Sequence, residues 1–109
     1  MRVKSVLLAF VWSIGFSLTG AALAADDLKL GEELLTRDCA KCHAVGRTGE
    51  SPHAGAPAFR TLATRYPIDS LEESLGEGIM SGHPDMPEFQ FDADQVGAII
   101  AYLKSIQQR

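Results

Sequence analysis

The sequence predicts an all-α fold of a single domain. Apolar residues recur at helical spacing in three separate segments behind readable caps, and no stretch alternates as a half-buried strand would. A third observation is the run Cys39-Ala40-Lys41-Cys42-His43, which directly follows the first of these segments. At 109 residues the chain is long enough for one domain, but side chains alone make only a marginal core at that size.

The elements follow in order. Asp26 or Asp27 can cap a first helix over about Leu28 to Asp38, with Gly31, Leu34 and Leu35 on one face. A shorter helix is expected around Phe59 to Arg65, ended by Pro67. Asp69 with Glu72 three residues on has the form of a capping box, and Leu71, Leu75 and Ile79 then repeat every four residues until Gly82. Asp92 with Gln95 repeats that signature before a last helix, whose Val96, Ile99, Ile100, Leu103 and Ile106 form an apolar stripe. Lys104 and Arg109 suit the negative end of its dipole.

Two thiols three positions apart with a histidine directly behind them are the pattern that attaches a haem covalently. Each thiol of Cys39 and Cys42 adds to one vinyl group of the porphyrin, and His43 is then brought under the iron as an axial ligand. The haem also supplies the apolar bulk a small core lacks. A redox disulfide or half of a zinc site would use the same two cysteines. The first needs a strand–motif–helix arrangement, and no strand pattern is present; the second needs another ligand pair, and only His53 and His83 remain.

Arg2 and Lys4 precede an apolar stretch from Val6 to Phe16, and small residues follow, ending in Ala22-Leu23-Ala24. This is the order of a secretory signal, residues 1–24, with cleavage after Ala24 leaving one domain at 25–109. The competing reading is an uncleaved anchor, because no charge interrupts Ser5 to Ala25. Either way the globular part is exported, to the periplasm in a bacterium. Two cysteines, both committed to haem, suit that compartment.

Removing the signal takes two of the ten basic residues and none of the fourteen acidic ones, leaving eight against fourteen, a formal −6. So acidic a surface disfavours nucleic acid and anionic lipid; it suits either docking onto a basic face of a protein partner or simply the solubility of a small protein.

From Gly31 before Cys39-Ala40-Lys41-Cys42-His43, through Gly55-Ala56-Pro57, to Met86-Pro87 and Ala101-Tyr102-Leu103-Lys104, the chain resembles the small class I bacterial cytochromes c. The resemblance implies a cytochrome c fold of three to five helices around one covalently attached haem c. Its first and last helices cross at a glycine packed against an aromatic residue, roles that Gly31 and Tyr102 match. It implies a proline carbonyl, here that of Pro57, accepting the second ring N–H of His43. It also implies a methionine ligand before a proline, as in Met86-Pro87.

The residues support Met86 in that role, because Pro84 and Pro87 hold its loop extended. Met80 adjoins the apolar stripe and reads as core. His83 is the rival, and bis-histidine ligation would lower the reduction potential; His53 reads as solvated. Arg60, Arg65 and Tyr66 are candidates for the haem propionates, and the sole tryptophan, Trp12, lies in the signal.

An iron closed by His43 and Met86 leaves no position for substrate, so the expected function is a monohaem carrier of single electrons between periplasmic redox proteins, not an enzyme. The alternatives are a dedicated electron-transfer subunit of a dehydrogenase or oxidase, and a ligand-binding sensor or enzyme that would use His83 for proton transfer. Stable membrane insertion is expected only if the signal stays.

Overall fold

In the computed structural model the described residues are 15, 19–79 and 84–108. They form three α-helices, α1 (Thr19–Asp38), α2 (Leu71–Glu77) and α3 (Ala93–Ile106), with 3₁₀ turns at Phe59–Thr64 and Ile68–Ser70. No strand is present among them; one isolated antiparallel bridge joins Ile79 to Phe89. The expected all-α class holds.

α1 and α3 pack together over the largest helix–helix contact, and Gly31 is the reason they approach so closely. A methyl group there would run into the backbone of Ala98 and lie 2.8 Å from the Cβ of Tyr102. The helix propensity lost to glycine, about 1 kcal/mol, is offset by backbone-on-backbone packing. Leu34 and Leu35 of α1 then meet Ile99, Tyr102, Leu103 and Ile106 of α3 in one buried cluster, which Phe59, Leu62, Ile68, Leu75 and Phe91 complete.

α3 begins as its sequence indicates. Asp92 Oδ1 accepts from the Gln95 N–H at 2.9 Å, and Gln95 Oε1 accepts from the Asp92 N–H at 3.1 Å, a complete capping box. Lys104 in its last turn reaches Asp69 at 2.5 Å.

Three expected boundaries differ. α1 starts at Thr19 rather than at a cap on Asp26 or Asp27, because the alanine-rich run Ala21–Ala25 continues the helix upstream. The pairing of Asp69 with Glu72 does not cap α2. Pro67 starts a 3₁₀ turn there, Ser70 takes the N-cap position without a side-chain bond, and Asp69 is engaged by Lys104 instead.

α2 also ends a turn early. Gly78 has φ +115°, a conformation that suits glycine, and its N–H closes the helix on the Ser74 carbonyl. Ile79 therefore leaves the helix and donates to the Phe89 carbonyl at 3.0 Å. The expected stop at Gly82, and Arg109, lie outside the described residues.

Candidate haem site

The motif continues α1 as a tight turn. Cys39 N–H donates to the Leu35 carbonyl at 2.8 Å, and the Cys42 and His43 N–H groups both donate to the Cys39 carbonyl, at 3.1 and 2.9 Å. Cys39, Cys42 and His43 are thereby gathered at the end of α1, each half-buried, with both thiols free. Burial first, then the charges of Asp38 and Cys42, pushes the Cys39 thiol up to about 11.

His43 is held from two directions. Its Nδ1 lies 2.7 Å from the Pro57 carbonyl oxygen, which makes Nδ1 the protonated donor and leaves Nε2 with a lone pair free to bind a metal. The Phe59 ring stacks on the imidazole with centroids 4.6 Å apart at 27°. Phe59 is itself fixed by its N–H on the Ala44 carbonyl at 3.0 Å. Nearby, the Tyr102 hydroxyl donates to the Val45 carbonyl at 2.9 Å, tying α3 to the loop after the motif. Burial first, and then the charge of Glu32, raises the Tyr102 phenol above its ordinary range, while Arg47 opposes them.

These residues open onto one cleft. Leu35, Cys39 and His43 line it from the α1 end, Pro57, Phe59 and Leu62 from the following loop and 3₁₀ turn, and Ile99 and Leu103 from α3. Leu71, Leu75 and Ile79 contribute from the α2 region, and Met86, Phe89 and Phe91 from the segment leading into α3. Among the described residues the lining is apolar apart from Cys39 and His43, and it includes the thioether of Met86. An apolar cleft that presents a thiol, an imidazole with its second nitrogen fixed, and a thioether suits an iron porphyrin in its donor chemistry.

The structure thus brings Cys39, His43, Pro57 and Met86 to one cleft, with Cys42 in the turn beside it. Met80 and His83 lie outside the described residues. None of Arg60, Arg65 and Tyr66 lines the cleft; Arg65 and Tyr66 are exposed, and Arg60 Nη1 is buried without a hydrogen-bond partner. His53, expected to be solvated, is only partly exposed. Its N–H donates to the Cys42 carbonyl at 3.2 Å, and its ring stands 3.7 Å from Asp85.

Sequence reasoning did not single out Phe59, although an aromatic residue two positions after Pro57 was a signal. Phe89 and Phe91 were missed too. Their alternation between Pro87 and Asp92 marks an extended segment with one face turned inward.

Residues 28–107 match the Cytochrome c family. The chain is similar to "Cytochrome c-552" of Bradyrhizobium diazoefficiens, 35% identical over 91 residues that cover 84% of this chain and 85% of that protein. No solved structure matches. The match spans the motif, the cleft and the α1–α3 crossing together, and the chain belongs to the cytochrome c family, all-α haem c proteins that carry electrons.

Proposed function

We propose that this chain is exported to the periplasm, is cut after Ala24, and shuttles single electrons on a haem that Cys39 and Cys42 would hold covalently and whose iron His43 and Met86 would ligate. The observation that carries the reading is the single apolar cleft lined by both His43 and Met86, with His43 Nδ1 bonded to Pro57. When bound, the haem iron supplies a ferric–ferrous couple.

The residues have separate tasks. Pro57 orients the imidazole and raises the basicity of Nε2. The Met86 thioether favours the ferrous state and raises the potential, and the surrounding leucine, isoleucine and phenylalanine side chains exclude water and disfavour added charge. Two protein ligands leave no site for oxygen or substrate, so the site exchanges electrons rather than performing group chemistry.

Among the described residues, cleavage after Ala24 removes no buried side chain, because residues 20–24 are all exposed. It would place Asp26 and Asp27 in the first turn of the shortened α1, where carboxylates favour the dipole. Among the described residues no helix is long and apolar enough to cross a membrane.

The partner face follows from charge. Residues 66–103 hold eight carboxylates, Asp69, Glu72, Glu73, Glu77, Asp85, Glu88, Asp92 and Asp94, and no lysine or arginine. All eight are exposed, and they alternate along the chain with the cleft-lining Leu71, Leu75, Ile79, Met86, Phe89 and Phe91. A partner presenting lysine and arginine near its own redox centre would dock beside the cleft. Such contacts are electrostatically steered, small and short-lived.

The test is the absorption spectrum of the purified protein in both oxidation states, with Met86→Ala and Met80→Ala alongside and carbon monoxide added to each reduced form. The expected result is a weak thioether-to-ferric-iron band in the red that only Met86→Ala loses, together with carbon monoxide binding gained only by Met86→Ala. A wild type without the band that binds carbon monoxide readily would overturn the closed-site carrier.

A further inference from the structure

We infer that Gln107, just beyond the C-terminal end of α3, is a positioning residue for His43, an inference that rests on reading His43 as the iron ligand. Its side-chain amide is fully engaged. Nε2 donates to the Phe59 carbonyl at 2.8 Å and to the Leu103 carbonyl at 2.7 Å, and Oε1 accepts from the Ala63 N–H at 2.8 Å. Two carbonyl acceptors and one N–H donor fix which end of the amide points where.

The placement gives these bonds their significance. Phe59 and Ala63 belong to the 3₁₀ turn Phe59–Thr64, and Leu103 belongs to α3, so one side chain fastens the turn to the helix across 48 and 44 positions of sequence. The next residue adds a backbone bond, Gln108 N–H to the Arg60 carbonyl at 2.9 Å. That turn carries the Phe59 ring stacked on His43 and follows directly from Pro57, whose carbonyl accepts from Nδ1. α3, which already crosses α1 at Gly31, is thereby the frame against which the imidazole is held. The bond to the Leu103 carbonyl also satisfies one of the carbonyls left open at the helix end.

Because the His43–Pro57 bond sets the basicity of the imidazole, loosening the turn weakens donation to the iron and favours the ferrous state. The test compares the haem-loaded wild type with Gln107→Glu, Gln107→Ala and Arg47→Ala. Gln107→Glu has the same shape and keeps the acceptor for Ala63, but turns an oxygen toward two carbonyls. Arg47→Ala is the control, since Arg47 also bonds the end of α3, through Nη2 to the Ser105 carbonyl at 2.7 Å, and makes no bond to the 3₁₀ turn.

Two readouts are followed, the midpoint potential and the exchange rate of the His43 Nδ1 proton by NMR. The expected result is an upward shift in potential in both Gln107 variants, with Nδ1 exchange faster by about tenfold or more, as the loss of two hydrogen bonds implies. Arg47→Ala should leave both readouts unchanged. An unchanged potential and exchange rate in Gln107→Glu, or equal changes in Arg47→Ala, would overturn the inference and leave Gln107 a stabilising contact only. A wild type without a histidine Nδ1 signal of an iron ligand would instead defeat the ligand assignment itself.

Discussion

The two sides of the cleft are built differently. On the His43 side, residues 39–64 are fastened to α3 and to one another by long-range bonds: His43 to Pro57, Phe59 to Ala44, Tyr102 to Val45, Gln107 to Phe59 and Ala63, and Arg47 to Ser105. On the Met86 side, the bonds found among the described residues are fewer. Ile79 N–H meets the Phe89 carbonyl, Phe91 N–H meets the Leu75 carbonyl at 2.9 Å, the Gln90 side chain meets the Gly76 carbonyl at 3.1 Å, and Asp85 faces His53 at 3.7 Å. Stability is unevenly distributed in a native protein, and walls tied to different elements open separately. The imidazole side is thus tied to α3 through side chains, and the described part of the thioether side to α2 through backbone and carboxamide bonds.

Substitutions can break this contrast from either side. The largest effect is expected at the helix crossing. Gly31→Ala places a methyl group against the Ala98 backbone, neither helix can give way without moving the core, and the cost should be about 3 kcal/mol in denaturant unfolding. Next comes Gly78→Ala, which forces a side chain into φ +115° and should cost about 2 kcal/mol. Its distribution is the sharper observation: amide exchange should speed at Ile79 and Phe91 while Phe59 keeps its protection. Equal acceleration at all three amides would mean that the two walls open as one unit.

Asp92→Ala removes the cap that starts α3 just after Phe91, and should cost about 1 kcal/mol, again by denaturant unfolding. The smallest effect concerns Arg37 and Asp38, neighbours joined by two bonds at 2.7 and 2.6 Å. Hydrogen bonding to the Arg37 guanidinium lowers the Asp38 carboxyl below its ordinary value. A lowered carboxylate contributes stability above its unfolded pKa and loses it as pH falls through the folded value. Arg37→Ala should therefore lower stability slightly at neutral pH and leave it unchanged below the folded pKa of Asp38, a small effect because the Arg37 side chain is exposed.

What could be read in advance divides along the same line. Cys39, Cys42 and His43 announce themselves because their chemistry is local, and Asp92 with Gln95 does so because a capping box needs only four residues. Pro57 and Met86 were reached through the family resemblance, and the structure brings both to the cleft. The repeat of Leu71, Leu75 and Ile79 correctly marked three cleft-lining residues but not their backbone. Gly78 ends α2 before Ile79, which reaches the cleft through its bridge with Phe89. Periodicity reports which face is buried, and a positive-φ glycine can change the element beneath it. Asp69 with Glu72 had the right spacing, but Lys104, thirty-five positions on, engages Asp69 instead. The amide of Gln107 and the stacking of Phe59 on His43 were illegible for a related reason: they join distant parts of the chain through groups that look ordinary in sequence.

The most direct test of the account is NMR of the reduced, haem-loaded protein with its methionine methyl groups labelled, comparing wild type with Met86→Ala. The account predicts one methyl resonance displaced far upfield by the porphyrin ring current, present in the wild type and absent in Met86→Ala. A wild type with no displaced methyl, or one in which Met86→Ala keeps it, would show that the Met86 side does not close the iron.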